Sequence, residues 1–273
     1  MSKKKTFRLS KYLILTKASM MESLTFRAST IVSIIGNLIY LIVIYFLWKA
    51  IYASSGSEVV NGMTFYDTMV YLVLASALFT FMECYVTWWI GRNFQSGQIV
   101  IDLLRPMDFQ IYGFFTLSGE YVINFCTTFL PTFIIVYFMT NGTITLGVNL
   151  IFFVLSVLIG VMINFHVDFF VGLICFYSQS IWGVNAMKEI VVALLSGAAI
   201  PLAFFPEGLR RFVNFLPFQA IYNAPLQILI DKNFAWQECV SMLLWQLMWL
   251  GIMFVATRVF WNISKKTLTV NGG

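Results

Sequence analysis

The chain has 273 residues, of which 60% are hydrophobic and only 11% are charged. Soluble domains average about 45–50% apolar and roughly 25% charged residues, so a soluble fold of this length could not hide so much apolar surface from water. The composition excludes a soluble domain and predicts an integral membrane protein, whose outer face is solvated by lipid. The net charge of +5 lies mostly in the first 27 residues, which indicates contact with lipid headgroups and not binding of nucleic acid.

Residues 1–30 are predicted to form a helix on the inner membrane surface. Leu9, Leu13, Thr16, Met20 and Leu24 recur at helical spacing, and the basic residues fall mostly between them. This pattern is typical of an amphipathic helix that lies in the interface, and a solvated basic arm is the alternative. The apolar run at 12–15 is too short for the core of a signal peptide.

Six apolar stretches are predicted to cross the membrane as helices. They are residues 31–48, 68–89, 111–139, 147–177, 186–205 and 239–260. A bilayer needs about 20 helical residues, so the fourth stretch is expected to tilt or to protrude at its inner end. The chain is therefore expected to be a single all-α domain, with 1–30 as an interfacial helix, 31–260 as the membrane domain and 261–273 as a cytoplasmic tail.

The lysine and arginine residues orient these spans. With both termini inside, 13 of the 17 basic residues fall in inner segments and four in outer segments. The positive-inside rule then predicts that both termini are cytoplasmic.

The cytoplasmic loop between the second and third spans predicts a short amphipathic helix. Ser96 is a candidate N-cap, and Pro106 disfavours helix at Arg105. Gln98, Asp102 and Arg105 would form a polar stripe. The apolar face would consist of Ile99, Val100, Leu103 and Leu104. Such a helix could dock in a groove of a cytosolic partner or lie on the lipid, and the spacing leaves both alternatives open.

A second short helix is predicted after the fifth span, between Pro206 and Pro217. Its apolar stripe has the spacing i, i+3, i+4, i+7, and comprises Leu209, Phe212, Val213 and Leu216. Arg210 and Arg211 lie off this stripe and would meet lipid headgroups. The helix is too short to span, so it would lie at the outer interface or dip into the membrane and return.

Ionisable residues inside the spans are candidates for a function, because burying charge in a bilayer is costly. Glu83 and Glu120 lie toward the cytoplasmic ends of their spans, where an ion pair with Arg92 or Lys188 would give them a purely structural role.

His166 and Asp168 do not share a helix face. If the long fourth span protrudes, both would lie near the cytoplasmic surface without a special role. His166 is the only histidine, and the four cysteines form no C-x-x-C pair, so no metal site is expected.

Two blocks of sequence resemble the bacterial ABC-2 type transporter permeases. The first is S-G-Q-I-V-I-D-L-L-R-P at 96–106. The second is L-S-G-A-A-I-P-L-A-F-F-P at 195–206, followed by L-P-F at 216–218 and Y-N-A-P at 222–225. The terminal Gly272 and Gly273 are also similar. Asp231 and Lys232 depart from the glycine turn that the resemblance would place after the Y-N-A-P segment.

The resemblance implies a six-helix half-transporter that pairs with a second permease subunit, identical or related. A cytosolic ABC ATPase would bind beneath each permease. The segment from Gly97 to Arg105 would be the coupling helix, and the helix after Pro206 the external re-entrant segment. The chain has no G-x-x-x-x-G-K-[ST] motif to hold ATP phosphates, so it is not expected to be an enzyme, and ATP and Mg²⁺ would bind in the partner.

The leading hypothesis is therefore the permease subunit of an ATP-driven exporter in a bacterial cytoplasmic membrane. Its substrate would be hydrophobic or amphipathic, such as a lipid, a peptide or a drug. The alternative is a secondary transporter driven by an ion gradient, a class that usually has internal repeats. A membrane enzyme ranks last, because the chain has no recognisable catalytic constellation.

Overall fold

The computed structural model describes residues 9–25, 27–140, 147–178, 180–231 and 235–267. Lys232 and the terminal Gly272 and Gly273 lie outside these residues. Within the described ranges the protein is all-helical apart from one two-stranded hairpin, in which β1 (Val59–Val60) pairs antiparallel with β2 (Met63–Thr64).

The α-helices of the described ranges, in chain order, are α1 (Leu9–Thr25), α2 (Arg27–Ser55), α3 (Phe65–Met82), α4 (Val86–Gln95), α5 (Gln98–Leu104), α6 (Phe109–Asn124), α7 (Leu130–Met139), α8 (Val148–Ser178), α9 (Ile181–Leu195), α10 (Glu207–Phe215), α11 (Asn223–Ile230) and α12 (Trp236–Ser264). A π-helical turn, Phe125–Phe129, joins α6 to α7. Short 3₁₀ turns lie at Leu202–Phe204, Phe218–Ala220 and Lys265–Thr267.

Five helical segments of the described chain are long and apolar enough to cross a membrane. They are Ile31–Ser55, Phe65–Gln95, Phe109–Met139, Val148–Ser178 and Trp236–Ser264. Most residues of the second and fourth are buried inside the protein, whereas few residues of the other three are fully buried. The α3–α4 segment and α8 therefore form the centre of the bundle, and the chain is a multi-pass membrane protein.

The stretch 186–205 is not one continuous helix. Ser180 caps α9 by accepting a hydrogen bond from the Gly183 N–H, so the helix begins five residues earlier than predicted. It ends at Leu195, because Gly197 adopts the left-handed conformation (φ +82°) that terminates helices. With 15 residues, α9 is shorter than the roughly 20 that a bilayer requires.

Helices α8 and α12 lie side by side and run in the same direction. The Gln246 side chain donates to the Ser156 carbonyl at 3.2 Å toward their N-terminal ends, and the Tyr177 hydroxyl donates to Ser264 at 3.3 Å at their C-terminal ends. The chain between them must therefore return to the other end of the bundle. The segment from α9 to α11 makes this return.

The N-terminal helix α1 packs along α6, so one of its sides contacts protein. The Tyr12 and Phe115 rings are 5.1 Å apart, and the Thr16 and Ser118 hydroxyl oxygens are 2.7 Å apart. The backbones touch at Gly119, where an added Cβ would lie 2.4 Å from the backbone nitrogen of Met20. The contact therefore depends on the absence of a side chain at this position.

We expect Gly119→Ala to displace α1 and to lower the thermal unfolding midpoint of the protein in detergent. Overpacking of this kind costs about 1–3 kcal/mol. The matched control is Gly251→Ala in α12, where an added Cβ meets no atom within 4 Å, and its midpoint should not fall. Equal midpoints for Gly119→Ala and the wild type would contradict the α1–α6 contact.

Candidate functional site

The second membrane segment is broken where α3 ends and α4 begins. Glu83 has an extended backbone (φ −65°, ψ 114°), so the helical hydrogen bonds are interrupted. The side chain of Asn164 in α8 donates to the Met82 carbonyl at 3.0 Å, and Thr87 donates to the Asp168 carbonyl at 3.1 Å. Because lipid offers no partner to a free backbone group, the Asn164 bond stabilises the break, and the Thr87 bond holds α4 against α8 beside it.

A buried ion pair lies next to this break. The Lys188 ammonium of α9 is 3.0 Å from an Asp168 carboxylate oxygen of α8, and their side chains are 13% and 1% exposed. A cavity of about 20 Å³, large enough for about one water molecule, is lined by both members of the pair and by Glu83. The pair thus connects α8 and α9 beside the broken segment.

These positions correct one expectation. Lys188 pairs with Asp168, and Arg92 stacks 5.2 Å from the Trp88 ring, so within the described chain neither forms an ion pair with Glu83 or Glu120. Asp168 and His166 are both buried, because neighbouring helices enclose their part of α8. His166 Nδ1 lies 2.7 Å from the Met162 carbonyl of its own helix.

The third membrane segment is also irregular. Its helix widens to a π-turn at Phe125–Phe129, which ends two residues before Pro131. Proline lacks an N–H, and its ring conflicts with the carbonyl four residues earlier, which accounts for the altered turn. The irregularity occurs near the middle of the segment Phe109–Met139.

Both irregular segments border one cavity of about 660 Å³. The break contributes Glu83 and Tyr85, and the π-turn region contributes Asn124 and Thr128. Helices α1 and α2 complete the wall, with Ser33 as the lining residue from α2. The described part of the chain thus encloses a concave, partly polar site within the membrane domain.

The segment predicted as the coupling helix forms α5, but of its polar stripe Asp102 faces inward. Asp102 is buried, and it accepts hydrogen bonds from Asn93 at 3.0 Å and from Tyr112 at 3.3 Å. Arg105 Nε lies 3.3 Å from the same carboxylate, and its guanidinium stacks 4.9 Å from the Tyr112 ring. Asp102 and Arg105 therefore fix α5 to α4 and α6.

The apolar face of α5 is also divided differently from the prediction. Ile99 is buried and Val100 is half-buried, whereas Leu103 and Leu104 are exposed, Leu104 by 79%. Ile101, which the sequence analysis omitted, is 54% exposed and lies i, i+3 from Leu104. The i, i+3 spacing of Ile101 and Leu104 could have predicted that both lie on the same side of α5.

The N-terminal end of α5 differs as well. The N-cap position is held by Gly97 in the left-handed conformation (φ +74°), and Gln98 is exposed beside it. Ser96, the predicted cap, instead ends α4, and its hydroxyl makes only a long 3.4 Å contact with the Gln98 N–H.

The helix predicted after Pro206 is α10. Only Val213 of its predicted stripe is fully buried. Leu209 and Phe212 are exposed, and Leu216 lies just past the helix end in an extended conformation. The exposed side also carries Arg211, which pairs with Glu207, while Arg210 is half-buried.

Asp108 links the end of the α5 loop to the last membrane helix. Its carboxylate caps α6 by accepting from the Gln110 and Ile111 N–H groups at 3.1 and 3.3 Å, and it pairs with Arg258 of α12 at 2.5 Å. Burial raises the pKa of Asp108, but the hydrogen bonds from Arg258, Ile111 and Gln110 outweigh burial and hold the pKa below its ordinary value. Its stabilising contribution is therefore lost only as the pH falls through that lowered pKa.

A family model described as ABC-2 family transporter protein matches residues 38–272. The chain belongs to this family. The match includes the broken α3–α4 segment, α5 and α10. ABC-2 permeases are membrane components of ABC-type transporters and are not enzymes by themselves. A comparison with curated proteins finds no match.

We expect Lys188→Met to destabilise the folded protein strongly, because it leaves Asp168 buried without a counter-charge. Breaking a buried pair costs about 3–5 kcal/mol. The double variant Lys188→Met, Asp168→Asn should recover much of this loss, since neither charge then remains. Thermal unfolding in detergent measures both effects. A double variant less stable than Lys188→Met would argue against the pair.

Proposed function

We propose that this chain is the permease subunit of an ATP-driven exporter whose ATPase is a separate protein. Membership of the ABC-2 family supports a transport role. The observation that carries the coupling part of the proposal is α5, a short helix outside the apolar segments that exposes Ile101 and Leu104. Exposed apolar side chains at such a position fit a groove on a protein partner.

The attachment of α5 suits the transmission of movement. Its inner side is fixed by the bonds of Asp102 to Asn93 of α4 and Tyr112 of α6. A displacement of α5 by an ATPase would therefore reach the second and third membrane segments directly. Both segments contain an irregular turn at which the two halves of a span could move relative to each other.

In this proposal the membrane is crossed six times and both termini lie in the cytoplasm of a bacterial cell. Five helical segments of the described chain are long enough to cross alone, and the parallel arrangement of α8 and α12 supports one further crossing between them. This crossing, the fifth in chain order, would consist of α9 and the irregular residues 196–205. The excess of basic residues in the inner segments supports the orientation. On the outer side, α10 would rest among headgroups with Leu209 and Phe212 in the lipid.

The transporter would contain two permease subunits, identical or related, and two ATPases. The apolar surfaces left exposed on α2 and α12 are available to lipid and to the second subunit. The substrate would be hydrophobic or amphipathic and would move by alternating access.

An ion-coupled secondary transporter is the second candidate, because interrupted spans around a central site are typical of that class. The broken α3–α4 segment and the π-turn have this character. The family membership favours the ATPase-coupled exporter, in which ATP and Mg²⁺ bind to the partner.

We expect Ile101→Asp and Leu104→Asp to abolish co-purification of the ATPase with this chain. A buried apolar anchor at an interface contributes on the order of 2 kcal/mol, and a buried unpaired carboxylate adds a further cost. Because both side chains point away from the bundle, the variants should insert and fold normally. The control is Val59→Asp, which alters an exposed apolar residue of the β1–β2 hairpin and should leave ATPase binding intact. Normal ATPase binding by both α5 variants would reject the assignment of α5.

The orientation can be tested by labelling with a membrane-impermeant thiol reagent. In a background without the native cysteines, Ser57→Cys should react in intact cells and Ser2→Cys only after the membrane is opened. Ser57 lies in the exposed turn that follows α2. The reverse pattern would contradict the proposed orientation.

A further inference from the structure

The cavity of about 660 Å³ has a strongly unequal charge distribution. Three carboxylates line it, Glu22 from α1, Glu83 from the break and Glu120 from α6, against a single cation, Arg92. Within the described chain no lysine or arginine lies within ion-pair distance of these three carboxylates. Arg92 instead stacks on the Trp88 ring.

Three carboxylates around one cavity, with no cation at ion-pair distance, give it a negative potential that attracts a positively charged ligand. In the described ranges no group of three His, Cys, Asp or Glu residues is close enough to hold a metal ion, so the geometry does not favour a metal. The cavity is within the roughly 300–1,000 Å³ range of pockets for small organic ligands.

Aromatic rings provide the second part of the recognition chemistry. Tyr85, Trp88 and Trp89 line the cavity beside the carboxylates. The faces of such rings attract organic cations and pack against apolar groups. Carboxylates together with aromatic faces favour a ligand that carries both a positive charge and a large apolar surface.

The cavity also has a side through which such a ligand could enter from lipid. Helix α2 is anchored near its outer end, where the Trp48 and Phe204 rings are 4.5 Å apart. In contrast, almost every residue of α2 at 31–40 is exposed, and from this part of the helix only Ser33 lines the cavity. The wall formed by α2 is therefore thin in its first half.

From this geometry we infer that the cavity bounded by the α3–α4 break and the π-turn binds an amphipathic organic cation, with Glu83 and Glu120 as counter-charges and the exposed Tyr85 ring as an aromatic contact. The inference rests on the proposed function, since it assigns the substrate class of the exporter. It explains why two spans are interrupted at one place, because each interruption directs polar groups into this cavity.

The test uses two probes of nearly equal size and opposite charge, tetraphenylphosphonium and tetraphenylborate. Binding of each probe to the purified full chain is measured by equilibrium dialysis in dodecyl maltoside, which is uncharged. The wild-type protein should bind the phosphonium saturably and the borate at least about tenfold more weakly. Equal binding of the two probes, or no saturable binding of the cation, would overturn the inference.

Variants locate the binding within the molecule. Glu83→Gln and Glu120→Gln preserve side-chain volume, and each should weaken phosphonium binding by about tenfold or more, with no effect on borate. The control is Glu58→Gln, an exposed carboxylate beside the β1–β2 hairpin, which should bind like the wild type. Size-exclusion profiles show whether each variant is folded. If Glu83→Gln and Glu120→Gln both bind like the wild type, the cavity is not the cation site.

Competition distinguishes the two sources of an amphipathic cation. Displacement of the phosphonium by lysophosphatidylcholine, and not by lysophosphatidylglycerol, would identify a lipid headgroup as the ligand. Displacement by neither would indicate a cation that is not a lipid, and both results agree with a cation site.

No ATPase is present in these measurements, so failure to bind the cation leaves the permease assignment intact. Conversely, normal ATPase binding by the α5 variants would reject the proposed coupling and not the cation site.

Discussion

A helix that crosses a bilayer can be broken only where the protein itself supplies partners for the backbone groups that the break releases. In this chain α8 supplies such a partner, because the Asn164 side chain donates to the last carbonyl of α3. The Thr87 hydroxyl of α4 donates in turn to the Asp168 carbonyl, which holds α4 against α8 just after the break. The contact between α8 and the broken segment therefore stabilises the centre of the bundle.

The same helix carries the charge that fixes α9. Asp168 is almost completely buried, so its carboxylate needs a counter-charge, and Lys188 of α9 provides it at 3.0 Å. Asn164 and Asp168 are four residues apart and share one face of α8, so this face both stabilises the break and orders the short helix α9. Glu83, at the break itself, remains on the side of the large cavity. The residues around the break therefore contribute both to the stability of the fold and to the polar lining of the cavity.

The membrane character of the protein could be predicted from composition, because a 60% hydrophobic chain has no soluble alternative. The positions of α5 and α10 could also be predicted, since proline and glycine mark their ends. The spacing of apolar and polar residues could not predict which side of each helix faces the protein. In α5 the polar stripe of Asp102 and Arg105 meets α4 and α6, because buried hydrogen-bond partners are available there.

The remaining differences come from contacts between residues far apart in sequence. Asp168 and Lys188 are 20 residues apart and lie on different helices, so no local pattern relates them. The early start of α9 depends on the single cap of Ser180, and its early end depends on the left-handed turn at Gly197. Hydropathy cannot locate these two helix ends, because the residues on either side of each end are similarly apolar. The cap and the left-handed turn therefore decide where α9 begins and ends.

The central claim is that a separate ATPase acts through α5 on the irregular spans around the cavity. The most direct measurement is the rate at which a thiol reagent modifies a cysteine placed at Thr80, a cavity-lining residue, in a background without the native cysteines. The account predicts that ATP changes this rate in the complex with the ATPase, and that neither ATP nor an ion gradient changes it in the isolated chain reconstituted in liposomes. A rate that responds to a proton or sodium gradient in the isolated chain, and not to ATP in the complex, would contradict the account.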